Sequence, residues 1–179
     1  MQESTLLRVE LGAGSRNMDG WVTLDISNSA DIQCDCSIQP LPFADETVNE
    51  LYASHFLEHF SFPKPMLYIL EECKRVLSPD GKLSIAVPDA SIYIRAYMEE
   101  KAFPEVIPVY KPAFFFNSPI DSINYIAYMN GQHKHMFDLK NLLAILKIAG
   151  FSDVQSRNFD PTIDIEKRRP QSIYAVAYK

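Results

Sequence analysis

The chain has 179 residues, 47% of them hydrophobic and 22% charged, with a formal net charge of −6. That is the size and balance of one soluble domain with a core of its own, 1–179, and it speaks against nucleic acid as a partner, because proteins that grip phosphates carry basic patches. No apolar run approaches the about 18 residues of a membrane-crossing helix, and Met1-Gln2-Glu3-Ser4-Thr5 lacks the basic start and apolar stretch of a secretory signal; a cytoplasmic protein is expected, with no membrane contact.

The elements alternate as in an α/β sheet. Strands are expected at Leu6 to Leu11, Trp21 to Leu24, Asp31 to Cys34 and Val48 to Ser54, the last two separated by the turn Gln39-Pro40-Leu41-Pro42-Phe43-Ala44-Asp45-Glu46. Pro63 and Pro65 open a helix in which Met66, Ile69, Leu70, Cys73, Val76 and Leu77 recur at helical spacing, with Glu71, Glu72, Lys74 and Arg75 on its wet side. Ser78-Pro79-Asp80-Gly81 should stop it. Leu83 to Val87 is apolar throughout, as a central strand needs.

The segment 88–136 breaks that rhythm with Tyr93, Tyr97, Phe103, Tyr110, Phe114, Phe115, Phe116, Tyr125 and Tyr128, and reads as an inserted lid, whose aromatics would suit a homodimer contact. Asp138 then N-caps a helix bearing Leu139, Leu142, Leu143, Leu146 and Ala149, and Gly150 stops it. Val154 to Phe159 and Ile173 to Tyr178 are the last strands. The basic run Lys167-Arg168-Arg169 between them, following Asp164 and Glu166, reads as a solvated loop. Cys34, Cys36 and Cys73 are an odd count without export signal, so no disulfide framework is expected, and their spacing is not that of a zinc knuckle.

Chemistry concentrates at the first strand. Glu10-Leu11-Gly12-Ala13-Gly14 is an apolar strand ending in an acid and a glycine loop, and Asp25 follows Gly14 by only eleven positions. A dinucleotide site needs a third glycine where Asn17 stands, a helix to receive the pyrophosphate, and its acid about 20 residues on. A cofactor without phosphates needs none of these. S-adenosylmethionine, a sulfonium carrying an amino acid and an adenosine, asks for close backbone approach, which Gly12 and Gly14 permit, and for carboxylates, which Glu10 and Asp25 could supply.

Further motifs follow in order: Leu41-Pro42-Phe43-Ala44-Asp45, Leu57-Glu58-His59, Arg75-Val76-Leu77-Ser78-Pro79-Asp80-Gly81, Val87-Pro88-Asp89, then His135-Met136-Phe137-Asp138 and Ala149-Gly150-Phe151. The series resembles class I S-adenosylmethionine-dependent methyltransferases of the type-11-like branch, closely over residues 6–89. The resemblance implies a Rossmann-like, mostly parallel seven-stranded sheet with an antiparallel last strand, and the short interval after Gly14 implies a first helix shortened or absent. It implies that Glu10, Gly12, Ala13 and Gly14 wrap the methionine part of the cofactor and that Asp25, with Ile26 beside it, meets the ribose. Asp35 would lie by the adenine, and Ser54 and His55 would line the site. Ala13 replaces a cysteine common in the family, a harmless change where backbone does the binding. The flank left open by the missing helix is expected to be covered by the aromatic segment.

Methyl transfer is an in-line displacement that needs acceptor and methyl group held collinear and dry; a base is needed only if the acceptor must lose a proton. His55 and His135 are the candidates for it, with His133 and Asp89 near the expected mouth. The acceptor is expected to be a small or medium-sized molecule, such as a sugar or lipid-linked intermediate. Two other readings compete. One is a module that binds S-adenosylmethionine or S-adenosylhomocysteine without catalysis. The other is a zinc hydrolase built on His55-Phe56-Leu57-Glu58-His59, a pattern that needs a long helix where a strand is expected to end; no metal site is expected.

Overall fold

The computed structural model of the protein describes residues 6–101, 116 and 118–179. Seven strands, β1 (Arg8–Leu11), β2 (Val22–Asp25), β3 (Ile32–Gln33), β4 (Val48–Ser54), β5 (Leu77–Pro88), β6 (Asp153–Ser156) and β7 (Ser172–Tyr178), form one sheet in the order β3-β2-β1-β4-β5-β7-β6. All are parallel except β7, which runs antiparallel to both neighbours. The helices are α1 (Lys64–Val76), α2 (Ala90–Met98), α3 (Ile120–Tyr128) and α4 (Leu139–Ile148).

The period-2 alternation of the strands divides the sheet into two unlike faces. On one face Val9, Leu51, Leu83 and Ala177 fall in line across four strands, as do Leu11, Ala53, Ile85 and Ala175. They join one apolar core with Met66, Ile69, Leu70, Cys73 and Val76 of α1 and Leu142, Ile145 and Leu146 of α4. Lys74 Nζ, donating to the Gly150 carbonyl at 2.6 Å, ties the two helices together. The other face presents Glu10, Tyr52 and Ser84 in line. Over it, Arg16 sits on the Tyr52 ring at 5.5 Å, Trp21 meets that ring edge-on, and the Tyr52 hydroxyl donates to Asp164 at 3.0 Å.

Several expected boundaries shift. α1 ends at Val76 and β5 begins at Leu77, so Ser78-Pro79-Asp80-Gly81 belongs to the strand; an irregularity between Val48 and Glu50 absorbs the change of register. β3 keeps only two residues, and β6 stops at Ser156, where Arg157 turns to bind Asp164. Glu72 and Arg75 do more than face water. Glu72 accepts from the Leu41 amide, and Arg75 donates to the carbonyls of Leu41 and Phe43 and to Asp45, which clamps the proline-rich turn onto α1. Asp138 caps α4 as expected, accepting from the Asn141 amide at 2.7 Å, and Gly150 takes φ +87° at its end.

Residues 12–21 between β1 and β2 contain turns and no helix. In the segment 88–136, α2 and α3 pack on each other through Ala90, Tyr93 and Ile126, apart from the main core. Phe103, Tyr110, Phe114 and Phe115, on which much of the lid and dimer expectation rests, lie outside the described residues. No helix is long and apolar enough to cross a membrane among the described residues.

Candidate active site

The strand order reverses between β1 and β4, and ligands of such sheets bind beyond the carboxyl ends of the strands at that switch. Glu10, Gly12, Asp25, Ser54 and His55 all stand there. Gly12 takes φ +66°, and a Cβ on it would lie 2.4 Å from Phe56 Cδ2, so glycine is required on both counts. Gly14, at φ +61°, donates its amide to Asp25 Oδ2 at 2.9 Å, while Asp25 Oδ1 accepts from the Ser27 amide at 2.8 Å. One carboxylate thereby fixes the glycine loop and keeps further lone pairs for a ligand.

Glu10 is buried and bound by Arg16 Nη1 at 2.9 Å, and its second oxygen has no hydrogen-bond partner among the described residues. Burial raises its pKa above the ordinary carboxylate value, with Arg16 opposing. Asp35 accepts from both the amide and the hydroxyl of Ser37, which lowers its pKa. Gly12, Asp25, Ile26, Asp35, His55 and Phe56 line a cavity of about 600 Å³ together with Gly131, Gln132 and Lys134. Its volume lies within the range of small-molecule sites. Cys34 and Cys36 form part of its floor; they and Cys73 are free and buried, and burial pushes the Cys36 thiol up to about 12.

A second cavity, of about 140 Å³, adjoins the first and shares His55 and His59 with it. Glu58, His133, Arg168 and Gln171 also face it. His55, at φ +52°, occupies a backbone region that non-glycine residues rarely adopt except where surroundings enforce it. Ser172 Oγ gives its hydrogen to the Arg168 carbonyl at 2.8 Å, so the 2.7 Å contact with His55 Nε2 must be donated by the ring. That tautomer leaves His55 Nδ1 as a lone pair, 3.8 Å from Glu58 Oε1. Burial, then the charge of Arg168, holds the His55 pKa well below 6.5, so the ring is neutral near pH 7. Burial raises Glu58 to about 8 against its own backbone N–H and Arg168, and lowers His133.

Residues 15–85 match the methyltransferase domain family. Among solved structures, a SAM-dependent methyltransferase from Archaeoglobus fulgidus superposes with TM-score 0.59 at 16% identity, covering 97% of this chain and 86% of that one. An S-adenosylmethionine-dependent methyltransferase from Mesorhizobium loti gives TM-score 0.58 at 17% identity, over 97% of this chain and 91% of that one. These likenesses establish the fold, and the family match covers the loop after the glycines. The chain has the fold of S-adenosylmethionine-dependent methyltransferases, and its residues 15–85 match their domain family. The Burkholderia thailandensis 1,6-didemethyltoxoflavin-N1-methyltransferase, solved with 1,6-didemethyltoxoflavin and S-adenosylhomocysteine bound, matches this chain with TM-score 0.57 at 14% identity, over 97% of this chain and 70% of that one. No curated protein sequence matches it.

The larger cavity has the chemistry to hold S-adenosylmethionine. The φ-positive glycines allow backbone approach, Asp25 and Asp35 offer carboxylates, and Glu10 keeps a buried oxygen without a partner. Of the residues picked out in the sequence, Gly12, Asp25, Ile26, Asp35 and His55 line that cavity. Ala13 lies beside it in the loop. Ser54 is buried and holds Arg168 Nη1 through its carbonyl and hydroxyl. His135 lines neither cavity: its Nε2 contacts Asn141 Oδ1 at 2.8 Å and its ring packs edge-on against Phe137. Asp89 caps α2 by accepting from the Ser91 amide. His55-Phe56-Leu57-Glu58-His59 is no long helix, only the end of β4 and a short 3-10 turn, so the inverted zinc-peptidase geometry is absent.

The place of Arg168, and the meeting of Glu58 with His133, are not visible in the sequence. Arg168 belongs to the smaller cavity instead of a solvated loop, and Glu58 and His133 meet there from positions 75 residues apart. A charge run looks solvated in sequence, and only the antiparallel return of β7 brings Arg168 to the end of β4.

Proposed function

We propose that this chain is an S-adenosylmethionine-dependent methyltransferase acting on a small or medium-sized hydroxyl-bearing acceptor, such as a sugar or lipid-linked intermediate, whose reacting atom enters the smaller cavity. The observation that carries this reading is that His55 borders both cavities, with its tautomer set by Ser172 and its Nδ1 free of a hydrogen. S-adenosylmethionine, when bound, supplies an electrophilic methyl carbon on its sulfonium. Glu10, Gly12, Ala13, Gly14, Asp25, Ile26, Asp35, Ser54 and His55 are the residues proposed to form or support its site.

In this reading His55 Nδ1 takes the proton that the acceptor hydroxyl loses as its oxygen attacks. A neutral imidazole in a partly dry cavity is suited to that role, which contributes about 10²–10⁴-fold in rate. Gln171, Arg168 and Glu58 supply polar groups for acceptor hydroxyls, a lining better suited to a sugar than to an apolar ring. His135 is proposed to position the start of α4 and the chain beside Phe137, not to touch the acceptor.

Calorimetry with S-adenosylhomocysteine, together with labelled S-adenosylmethionine and a panel of sugars, tests the proposal. Asp25→Ala should weaken S-adenosylhomocysteine about tenfold or more. His55→Gln should leave that affinity within about threefold while lowering kcat about a hundredfold. Equal kcat in His55→Gln and the parent would remove His55 from the reaction.

A further inference from the structure

Glu58, His59 and His133 each place one ligand atom within 4.8 Å of the other two. Proximity alone is weak evidence, but three features single this group out. The Glu58 side chain is 2% exposed, and its Oε2 has no hydrogen-bond partner among the described residues. A carboxylate oxygen buried without donors is costly unless a ligand arrives to meet it.

The two rings are also oriented for coordination. His59 Nδ1 contacts the Gln132 carbonyl at 3.1 Å, and His133 Nδ1 contacts the Ile126 carbonyl at 2.8 Å. A carbonyl oxygen can only accept, so each Nδ1 carries the hydrogen and each Nε2 keeps its lone pair. Metal-binding histidines are commonly held this way, with the second ring N–H donated to a carbonyl that fixes tautomer and angle. Finally, all three residues border the 140 Å³ cavity, which leaves space for a further ligand.

We propose that Glu58, His59 and His133 form a binding site for a divalent first-row transition metal ion, through one carboxylate oxygen and two Nε2 atoms. Two imidazoles and a carboxylate are the donor set of zinc and iron(II) sites with open positions. Ligand atoms around a tetrahedral ion stand about 3.4 Å apart, from metal–ligand bonds of about 2.0–2.1 Å. The three groups therefore draw together on binding, and His59, the exposed member, moves most. Arg168 is the cationic side chain facing the same cavity, and its Nη1 is held by the carbonyl and hydroxyl of Ser54. Its charge and that of the ion together favour an oxygen ligand with anionic character at the open position. That last point rests on the proposed acceptor chemistry, whereas the metal site itself does not.

The test needs neither cofactor nor acceptor. The full chain, without a histidine tag, is stripped with a chelator and titrated with Co²⁺, read by its visible absorption, and with Zn²⁺ by calorimetry. One ion per chain at micromolar affinity or tighter is expected, weakened about tenfold or more in His59→Ala and in Glu58→Gln. His59 is exposed, so its replacement leaves folding intact, as circular dichroism will verify. His135→Ala, two residues from His133, should bind Co²⁺ as the parent does. The site is overturned if the parent takes up no stoichiometric ion, or if His59→Ala binds with the affinity of the parent. S-adenosylhomocysteine affinity, measured on the same samples, reports separately on the methyltransferase reading.

Discussion

Arg16 Nη2 donates to the carbonyl of Ile163 at 2.6 Å, across 147 residues of sequence, while Nη1 of the same guanidinium holds Glu10 at 2.9 Å. One side chain thus joins the glycine loop to the segment between β6 and β7. The short interval after Gly14 predicts a flank that some other part of the chain must cover, and the aromatic segment before Met136 is the expected cover. Among the described residues, Arg16 meets both Glu10 and the segment 157–165, and Gly131, Gln132 and Lys134 of the segment before Met136 line the same cavity as Gly12.

Arg16→Ala leaves Glu10 buried without its cation. Losing a hydrogen bond between charged groups costs about 1.5–3 kcal/mol, and stability measured in urea should fall by that order. Glu10→Gln tests the same pair from the other side. Because burial raises the folded pKa of Glu10, folded protein holds more protons there than unfolded protein does above pH 4.5. Its contribution to stability is fullest below pH 4.5 and declines as pH rises through the folded value. The Glu10→Gln variant should therefore show a flatter stability profile over that window, and an identical profile would mean that Arg16 fully offsets the burial.

Gly12→Ala and Gly14→Ala separate crowding from backbone strain. Both positions have positive φ, a cost of roughly 1–2 kcal/mol for an L side chain. A Cβ at position 12 also meets Phe56 at 2.4 Å, whereas a Cβ at position 14 meets nothing within 4 Å. Calorimetry with S-adenosylhomocysteine should show Gly12→Ala at least about tenfold weaker and Gly14→Ala within a few-fold of the parent. Equal losses would show that Phe56 yields readily and that backbone angle governs both.

The legible parts of the sequence are those with local signals. β4 and α1 are readable from alternation and from the 3.6-residue recurrence of Met66, Ile69, Leu70 and Cys73, and α4 from its Asp138 cap and Gly150 stop. β3, two residues long, offers no period to read. Gly12, Asp25, Asp35 and His55 are legible because each stands at a strand end or within two residues of one. The place of Arg168 and the approach of His133 to Glu58 are not, because they depend on tertiary contacts: Arg168 reaches Ser54 across 114 residues, and Lys134 and His135 are anchored by the Glu58 carbonyl. Buried polar groups that converge from distant loops have no sequence period, and a charged run resembles a wet surface until its partners are known.

The three thiols give a chemical check on packing. Cys34, Cys36 and Cys73 are buried and free, and burial raises all three, Cys36 to about 12. Thiolate is the reactive form, so native protein at pH 8 should resist iodoacetamide for hours, with three equivalents taken up in guanidinium. Alkylation of Cys36 in native protein would show that the cavity floor opens. Bound S-adenosylhomocysteine should then suppress that labelling.

Asp164 decides how firmly the segment 157–165 is held. Its side chain is fully buried and binds Arg157 through both oxygens, at 2.6 and 2.7 Å, accepts from the Tyr52 hydroxyl at 3.0 Å and from the Asp160 amide at 2.7 Å. Removing one member of a buried pair leaves the other charge uncompensated, a loss of about 3–5 kcal/mol. Asp164→Ala should therefore unfold in urea with a stability lower by that order, while Tyr52→Phe, which deletes a single hydroxyl donor, should lose about 1 kcal/mol. Because Ile163 binds Arg16 next door, the stability loss in Asp164→Ala should come with weaker S-adenosylhomocysteine binding, which Tyr52→Phe should keep. If Asp164→Ala kept full affinity, the segment would be a structural support without influence on the glycine loop, and the link from Ile163 through Arg16 to Glu10 would carry no functional coupling.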